Sequence, residues 1–509
     1  MNLEITTTGR IVVLVTFVAY IIAVTLIGVF ANRAAKKQAA EGYTGGFFAG
    51  DRGLGGLALG MMMMATLLSS GTFVSSHGMI YKIGLSYATI CLVAHFSLIL
   101  SLGGTGKKIG IIGRRTGVVS FIGLLKNRYN GNKALVVVLA LPMVIFLVCY
   151  SASQVVGGAR VFEVMTGGSY WVGLLLFGAV IGVYTLLGGM KSVAATSIFQ
   201  GFVMIAAVVS LVFGYSSYIG QHYGSLTNVV SSLAESEQTQ YMLVPTGALT
   251  APVLISLIVM FAISSVALPH VAQGNLTYKN TKSLKTAVVV GSISSVIVYL
   301  ALLLVGVIVR VIAPDMTVSD YVTPYLSFLT MPSPLVGVML SAVASAIQST
   351  VASMLLVICA VICKDLYKDV IRPDASEAQI KKITPAVLIL TCVVVLAISF
   401  NPPDAVQVLV NFAVGGLASA LLFPLLLGLY WKRGNEYGAL AGVISGFVYY
   451  ILASSVCKGL AFGLNAFIPA VILSGLLMVV VSLATPKPPL GVVQVWFGKT
   501  YDHDFAHRT

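Results

Sequence analysis

Met61-Met62-Met63-Met64-Ala65-Thr66-Leu67-Leu68-Ser69-Ser70-Gly71-Thr72-Phe73-Val74-Ser75-Ser76 lies inside a long apolar run, yet its middle gathers Ser69, Ser70, Gly71 and Thr72. A lipid-facing helix has no use for four weak helix formers at bilayer depth. A helix that unwinds at mid-membrane does, because freed carbonyls and hydroxyl oxygens can then face a cavity. Close helix packing through small residues is the other reading of the same stretch.

The surrounding chain of 509 residues is 58% hydrophobic and 9% charged. A soluble protein carries roughly 25% charged residues, so the composition is that of an integral membrane protein. Windows of about 20 apolar residues mark about thirteen spans. They lie near Ile11–Ala31, Gly55–Met79, Ser86–Leu102, Ala134–Val164, Val172–Leu187, Val193–Tyr215, Pro252–Leu276, Ala287–Ile312, Pro334–Cys363, Pro385–Phe400, Ala405–Trp431, Tyr437–Val456 and Ile468–Leu483. This predicts an all-α transmembrane domain over residues 1–484 and a cytoplasmic tail over 485–509.

A net charge of +14 suggests nucleic acid until its distribution is read. Sorted by alternate loops, 25 of the 30 Lys and Arg residues fall on one side, leaving only Arg10, Lys82, Arg160, Arg310 and Lys458 for the other. That is the positive-inside pattern, which puts the N-terminus outside and the C-terminus in the cytoplasm. The longest outside loop, Gly220–Thr250, has no Lys or Arg. The first apolar run is preceded by Glu4 and followed by basic residues, so it reads as a first span rather than a cleaved signal. Cys91, Cys149, Cys359, Cys363, Cys392 and Cys457 fall in or at the ends of apolar runs with no disulfide or metal spacing. Gly103–Lys133 interleaves seven basic residues with apolar ones and could form an amphipathic helix on the cytoplasmic face; a plain basic loop explains the charges equally well.

Gln154 stands deep in the fourth span and needs a partner, either another helix or a ligand. Gly188-Gly189 signals a turn. The seventh span supplies a second interruption, Ser264-Ser265-Val266-Ala267-Leu268-Pro269-His270-Val271-Ala272-Gln273-Gly274-Asn275. Pro269 removes a backbone donor there, and His270 is either a satisfied structural group or a ligand. The second and seventh spans are five apart, so spans two to six and seven to eleven form two units of opposite orientation, over about 53–216 and 251–431. The first, twelfth and thirteenth spans are peripheral. In the ninth span Ala346, Ser349 and Thr350 share one helix face, suited either to close packing or to offering oxygens to a cation.

The 16 acidic residues all fall in loops, tails or span ends, and of the histidines only His77, His95 and His270 lie in the spans. A proton-coupled carrier usually holds a carboxylate at bilayer depth. Sodium needs hard oxygens, which carbonyls and hydroxyls supply without net charge, so sodium is the favoured coupling ion. The same absence disfavours a cationic solute; a small carboxylate or neutral polar solute fits, with half-helix N-termini facing the anion. A membrane enzyme would need a metal cluster or a nucleophile–base pair in the spans, and a channel a filter-like repeat. Proton-coupled or uncoupled transport of proline, a monocarboxylate or a sugar remains the alternative.

The Ala65–Phe73 region, Gly157-Gly158-Ala159-Arg160, Leu268-Pro269-His270, Pro314-Asp315-Met316-Thr317-Val318, Lys364-Asp365-Leu366-Tyr367-Lys368 and Leu427-Gly428-Leu429-Tyr430-Trp431 resemble the sodium:solute symporter family, most closely its bacterial sodium/pantothenate permeases. The resemblance covers nearly the whole chain. It implies a bacterial cell-membrane protein with a leucine-transporter-type core of two inverted five-helix repeats, importing a small solute with sodium. It also implies a sodium site at Ala65, Leu68, Ala346, Ser349 and Thr350, and solute contacts at Ser69, Ser70, Thr72, Phe73, Gln154, His270 and Asn411. Two positions depart from the family pattern. Ser197 stands where relatives often carry an Asp thought to help release the cation, and Gln273-Gly274 follow Pro-His where they often carry an Arg.

Overall fold

The computed structural model describes residues 6–37, 42–402 and 405–498. Glu4, Glu41, Asp404, Asp502, Asp504 and the tail beyond residue 498 lie outside the described residues. Among the described residues the ordered elements are all helical apart from one isolated bridge, Leu54 to Tyr278. Eleven helices among the described residues are singly long and apolar enough to cross a membrane, twelve if the bent pair is one span.

In chain order the helices are α1 (Thr7–Ala31), the bent pair α2 (Gly56–Leu67) and α3 (Gly71–Ile83), α4 (Leu85–Thr116), α5 (Lys133–Thr166), the shorter α6 (Tyr170–Val183) and α7 (Gly189–His222). They continue with α8 (Ala251–Gly274), α9 (Thr281–Ile312), α10 (Ser333–Ile371), α11 (Glu377–Ile398), α12 (Val406–Tyr430), α13 (Glu436–Val456) and α14 (Phe467–Ala484). The count of thirteen expected from hydropathy is reached only if short α6 also crosses.

α10 is the centre. Of its most apolar 18-residue stretch 94% is buried, against 28% for α1 and α11. It packs on α1, α2, α5 and α7. Small residues make this possible, since Ser341, Ala342, Ala344, Ser345, Ala346, Ser349 and Ala352 let four helices approach one axis.

The second expected span is broken as its serines and glycine suggested. α2 ends at Leu67, Leu68 is extended (φ −77°, ψ 102°), and α3 leaves at 55° to α2 through a π-helical turn over Gly71–Ser75. The seventh span is interrupted too: a 3₁₀ turn over Ser264–Val266 leads to extended Leu268 before Pro269 restarts the helix. At Gly189, φ is +56° where α6 meets α7, so the Gly188-Gly189 turn signal marks a real corner; Phe47 lies close against it.

Helices outlast the apolar windows in two places. α4 runs on from Leu102 to Thr116 through a π-helical stretch, and α10 continues past Cys363 to Ile371. Hydropathy sees only the hydrocarbon layer, whereas helical hydrogen bonding goes on into water. The amphipathic surface helix considered for Gly103–Lys133 takes a different form. Phe121–Tyr129 is helical, capped by Ser120, but Phe121, Ile122, Leu124 and Leu125 are all buried. Fully buried Arg128 donates to the carbonyls of Gly428 (2.6 Å), Trp431 (2.7 Å) and Gly434 (3.2 Å), capping the end of α12. The segment is a wedge inside the bundle because one cation satisfies three otherwise exposed carbonyls.

Candidate functional site

The break between α2 and α3 faces the middle of α10. Ser349 Oγ lies 2.7 Å from the Ala65 carbonyl oxygen, 2.8 Å from that of Ser345 and 3.1 Å from that of Ala346. A hydroxyl has one hydrogen, so it can donate to only one of these at a time. The remaining oxygen–oxygen approaches are uncompensated, and a cation among them would relieve the repulsion. Thr350 Oγ1 sits likewise between the carbonyls of Thr66 (3.1 Å) and Ala65 (3.4 Å). Ser353 Oγ, 2.9 Å from the Ser349 carbonyl and 3.4 Å from Thr66 Oγ1, extends the cluster. All these residues are buried. Ala65, Ala346, Ser349 and Thr350 therefore converge, and Leu68 occupies the point where the backbone leaves the helix, its N–H donating to Met64.

One turn further on, the break borders a cavity enclosing about 600 Å³ of empty space, the part open to solvent included. Ser69 and Thr72 line it, together with Ser76, Tyr87, Tyr150, Ser264, Ser265, Tyr299 and Gln407. These come from α3, α4, α5, α8, α9 and α12 and the break itself, so both interrupted spans contribute. Among the described residues no side chain on this wall carries a formal charge. Gln407 donates through Nε2 to Asn411 Oδ1 at 2.8 Å, while its buried Oε1 has no hydrogen-bond partner among the described residues. An unpartnered buried acceptor costs free energy until a donor arrives, so Gln407 offers a solute a place for a hydroxyl or amide.

The other expected solute residues stand behind this wall. Gln154 Oε1 accepts from the Ser70 N–H at 2.8 Å, and Ser70 packs so tightly on α5 that a Cβ on Gly157 would lie 2.7 Å from its own. Gly-Gly at 157–158 is thus a close-approach requirement, and Gln154 serves as the helix-to-helix link that was one of its two readings. Phe73 is fully buried, with its N–H donating to the Ser69 carbonyl. His270 packs edge-on against Tyr150 at 5.9 Å, and neither ring nitrogen has a hydrogen-bond partner among the described residues. Asn411 orients Gln407 rather than lining the cavity itself.

Tyr87, Tyr299 and Gln407 had not been singled out. Gln407 carried a signal, being a polar side chain in an apolar run one turn before Asn411; the tyrosines carried none, since tyrosine is ordinary in spans. Gln154→Leu would leave the Ser70 N–H buried without an acceptor, at about 1–3 kcal/mol. Its purified form is expected to unfold at lower temperature than the unsubstituted protein; an unchanged unfolding midpoint would show that the link does not hold the break.

The sodium:solute symporter family model matches residues 47–446. The chain belongs to the sodium:solute symporter family. The symporter is 32% identical to the sodium/pantothenate symporter of Escherichia coli K12, over 91% of this chain and 94% of that one, and 31% identical to the Haemophilus influenzae sodium/pantothenate symporter over 83% and 89%. It is 28% identical to the osmoregulated proline transporter OpuE of Bacillus subtilis, over 94% and 95%. Among solved structures, a sodium-coupled sialic acid symporter in a substrate-bound outward-open state matches with TM-score 0.78 at 17% identity, covering 94% of this chain and 99% of that one. MhsT, in complex with L-phenylalanine, matches at TM-score 0.50 with 14% identity, covering 84% of this chain and 98% of that one. The fold is the leucine-transporter-type core anticipated from the broken spans. The symporter is accordingly a multi-pass membrane protein that couples sodium to the movement of a small solute, and not an enzyme.

Proposed function

We propose that the symporter imports pantothenate or a similar small hydroxylated carboxylate by alternating access, with sodium held by the carbonyls of Ala65, Leu68 and Ala346 and the hydroxyls of Ser349 and Thr350. The observation that carries this reading is the Ser349 hydroxyl, one hydrogen set among three carbonyl oxygens. Sodium there would order the α2–α3 break and place a positive charge one turn from Ser69 and Thr72. A solute carboxylate is then offset by the ion and by the N-terminal end of α3, and its hydroxyl or amide donates to Gln407. Pantothenate carries a carboxylate, hydroxyls and an amide, which suits a wall of uncharged donors and acceptors. The similarity to two sodium/pantothenate symporters favours it over proline.

Of the expected contacts, Ser69 and Thr72 would touch the solute, whereas Ser70, Phe73, Gln154, His270 and Asn411 would shape the wall from behind. The repeats over about 53–216 and 251–431 would rock against each other, the N-terminus lying outside and the C-terminus in the cytoplasm as the basic loops require. Ser197 is buried and donates to the Val193 carbonyl at 2.6 Å, so cation release would proceed without a carboxylate at that position.

The test is uptake of radiolabelled pantothenate, proline, short monocarboxylates and sugars into vesicles, with and without an inward sodium gradient. Uphill pantothenate accumulation that needs sodium is the expected result. Uptake driven by a pH gradient alone and lost in His270→Ala would reject sodium coupling, and absence of uphill accumulation of any solute would reject symport.

A further inference from the structure

On α10, Ser341, Ser345 and Gln348 recur every three or four residues and form a polar stripe beside the one that holds Ala346, Ser349 and Thr350. Tyr20 of α1 reaches this stripe. Its hydroxyl donates to Gln348 Oε1 at 2.7 Å and accepts from Ser345 Oγ at 3.0 Å. Gln200 of α7 donates through Nε2 to the same Gln348 oxygen at 3.1 Å. All four residues are buried, and the Tyr20 ring stacks on Phe199 of α7 with ring centres 6.1 Å apart. Three helices thus meet around one phenolic oxygen and one amide oxygen.

These bonds are more than the helices need to hold together. α1, α7 and α10 already pack on one another, and apolar side chains would join them without desolvating amides. Gln200 Oε1 and Gln348 Nε2 even stay without a hydrogen-bond partner among the described residues, a cost the cluster carries. What directional bonds add is a fixed register. The register they fix here is that of the sodium contact. The Tyr20 hydroxyl ties residues 345 and 348 across one turn, so it brackets Ala346 and ends one residue before Ser349. The Ser345 carbonyl, in turn, lies 2.8 Å from the Ser349 hydroxyl.

We propose that Tyr20 is a positioning residue for sodium: by bridging Ser345 and Gln348 it holds α10 where the Ala346 carbonyl and the Ser349 and Thr350 hydroxyls meet the Ala65 carbonyl. The proposal rests on the sodium site proposed above. Tyr20 touches neither ion nor solute. It belongs to α1, outside both proposed repeats, and so gives that extra helix a part in coupling.

The test reads sodium without any solute. Full-length protein in detergent is unfolded by heat across a sodium chloride series, with choline chloride keeping the ionic strength constant. The rise of the midpoint with sodium gives the half-saturating concentration. Tyr20→Phe removes one oxygen and keeps the ring. Ser345 can still donate to the Ser341 carbonyl at 2.8 Å, and Gln348 still accepts from Gln200, so no partner is stranded. Outer-shell partners of metal ligands are worth about 10–100-fold in affinity, so half-saturating sodium is expected to rise about tenfold while the midpoint in choline chloride changes little. Ser345→Ala cuts the other end of the bridge and should give a smaller rise; combined with Tyr20→Phe, it should add nothing. Tyr170→Phe, which removes a 2.8 Å bond from α6 to the Ser399 carbonyl, is the control and should leave sodium unmoved. Should Tyr20→Phe not fold, a rise in Ser345→Ala that Tyr170→Phe lacks decides the matter. Midpoints lowered equally in both salts with half-saturation unchanged, effects that multiply in the double variant, or an equal rise in Tyr170→Phe each overturn the proposal. Ser349→Ala with Thr350→Ala, measured alongside, separates the role from the site. Sodium stabilisation lost in that pair but intact in Tyr20→Phe overturns the positioning role alone. Stabilisation intact in the alanine pair overturns the sodium site and the role with it.

Discussion

Replacing Ser349 and Thr350 together by alanine is expected to abolish sodium-stimulated uptake while the protein still reaches the membrane. Each hydroxyl that meets a cation contributes about 1.5–3 kcal/mol, so losing both removes about 3 kcal/mol or more and lowers sodium affinity at least a hundredfold or so. The fold should survive. α10 keeps its backbone ladder, and alanine is the best helix former. The Ser345 carbonyl of the same helix, 2.8 Å from the Ser349 hydroxyl, is an alternative acceptor for its one hydrogen, in a bond the helix does not need. Thr350→Ser, which keeps the oxygen and drops a methyl, is expected to retain most sodium dependence; Thr350→Val, with the shape and no hydroxyl, is not. Measuring initial uptake rates against sodium concentration, alongside membrane abundance, separates lost binding from lost protein. Sodium dependence unaltered in the double variant would remove the site from the α2–α10 contact altogether.

Much of that contact between the break and α10 was legible before any coordinates. Ser69-Ser70-Gly71-Thr72 at bilayer depth announces a break because all four residues are weak helix formers and lipid offers the loosened backbone no partner. Ala346, Ser349 and Thr350 share a face by helical arithmetic alone. What their spacing could not decide was whether that face meets a neighbour's small residues or its loosened carbonyls. The Ser349–Ala65 contact spans 284 positions of sequence, and no local pattern carries it.

The solute wall was less legible for the same reason. Tyr87, Tyr150, Tyr299 and Gln407 come from four helices, and their convergence is set by crossing angles that hydropathy does not encode. Gln154 shows the opposite case. Its place deep in a span calls for a helix or a ligand as partner, and the structure supplies the Ser70 N–H, a choice that spacing alone could not make. A freed backbone donor at a helix break is as demanding as any ligand.

Asp320 was placed in a loop by its position between apolar runs, and hydropathy cannot say that this loop is buried. Its side chain is 1% exposed and pairs with Arg160 near the end of α5. Asp320→Ala is expected to cost about 3–5 kcal/mol, the largest stability loss of any single substitution considered, because it breaks a buried ion pair and leaves the Val406 N–H without its acceptor. The pair itself is not a source of great stability. Burial pushes the Asp320 carboxyl above its ordinary range, and Arg160 only partly pulls it back. Arg160→Met with Asp320→Leu is therefore expected to recover most of what Asp320→Ala loses, as read by the unfolding midpoint in detergent and by abundance in the membrane. An Asp320→Ala protein as stable as the unsubstituted one would show that the pair is solvated in practice.

Recovery of the fold should not bring full recovery of transport. Asp320 Oδ2 also accepts from the Val406 N–H at 3.3 Å, fixing the first turn of α12 immediately before Gln407. A leucine cannot accept that bond, so the rescued double variant is expected to fold normally yet show a raised apparent KM for solute, with sodium affinity little changed. That split would locate the carboxylate's role in positioning the cavity wall, and equal changes in both affinities would place it elsewhere.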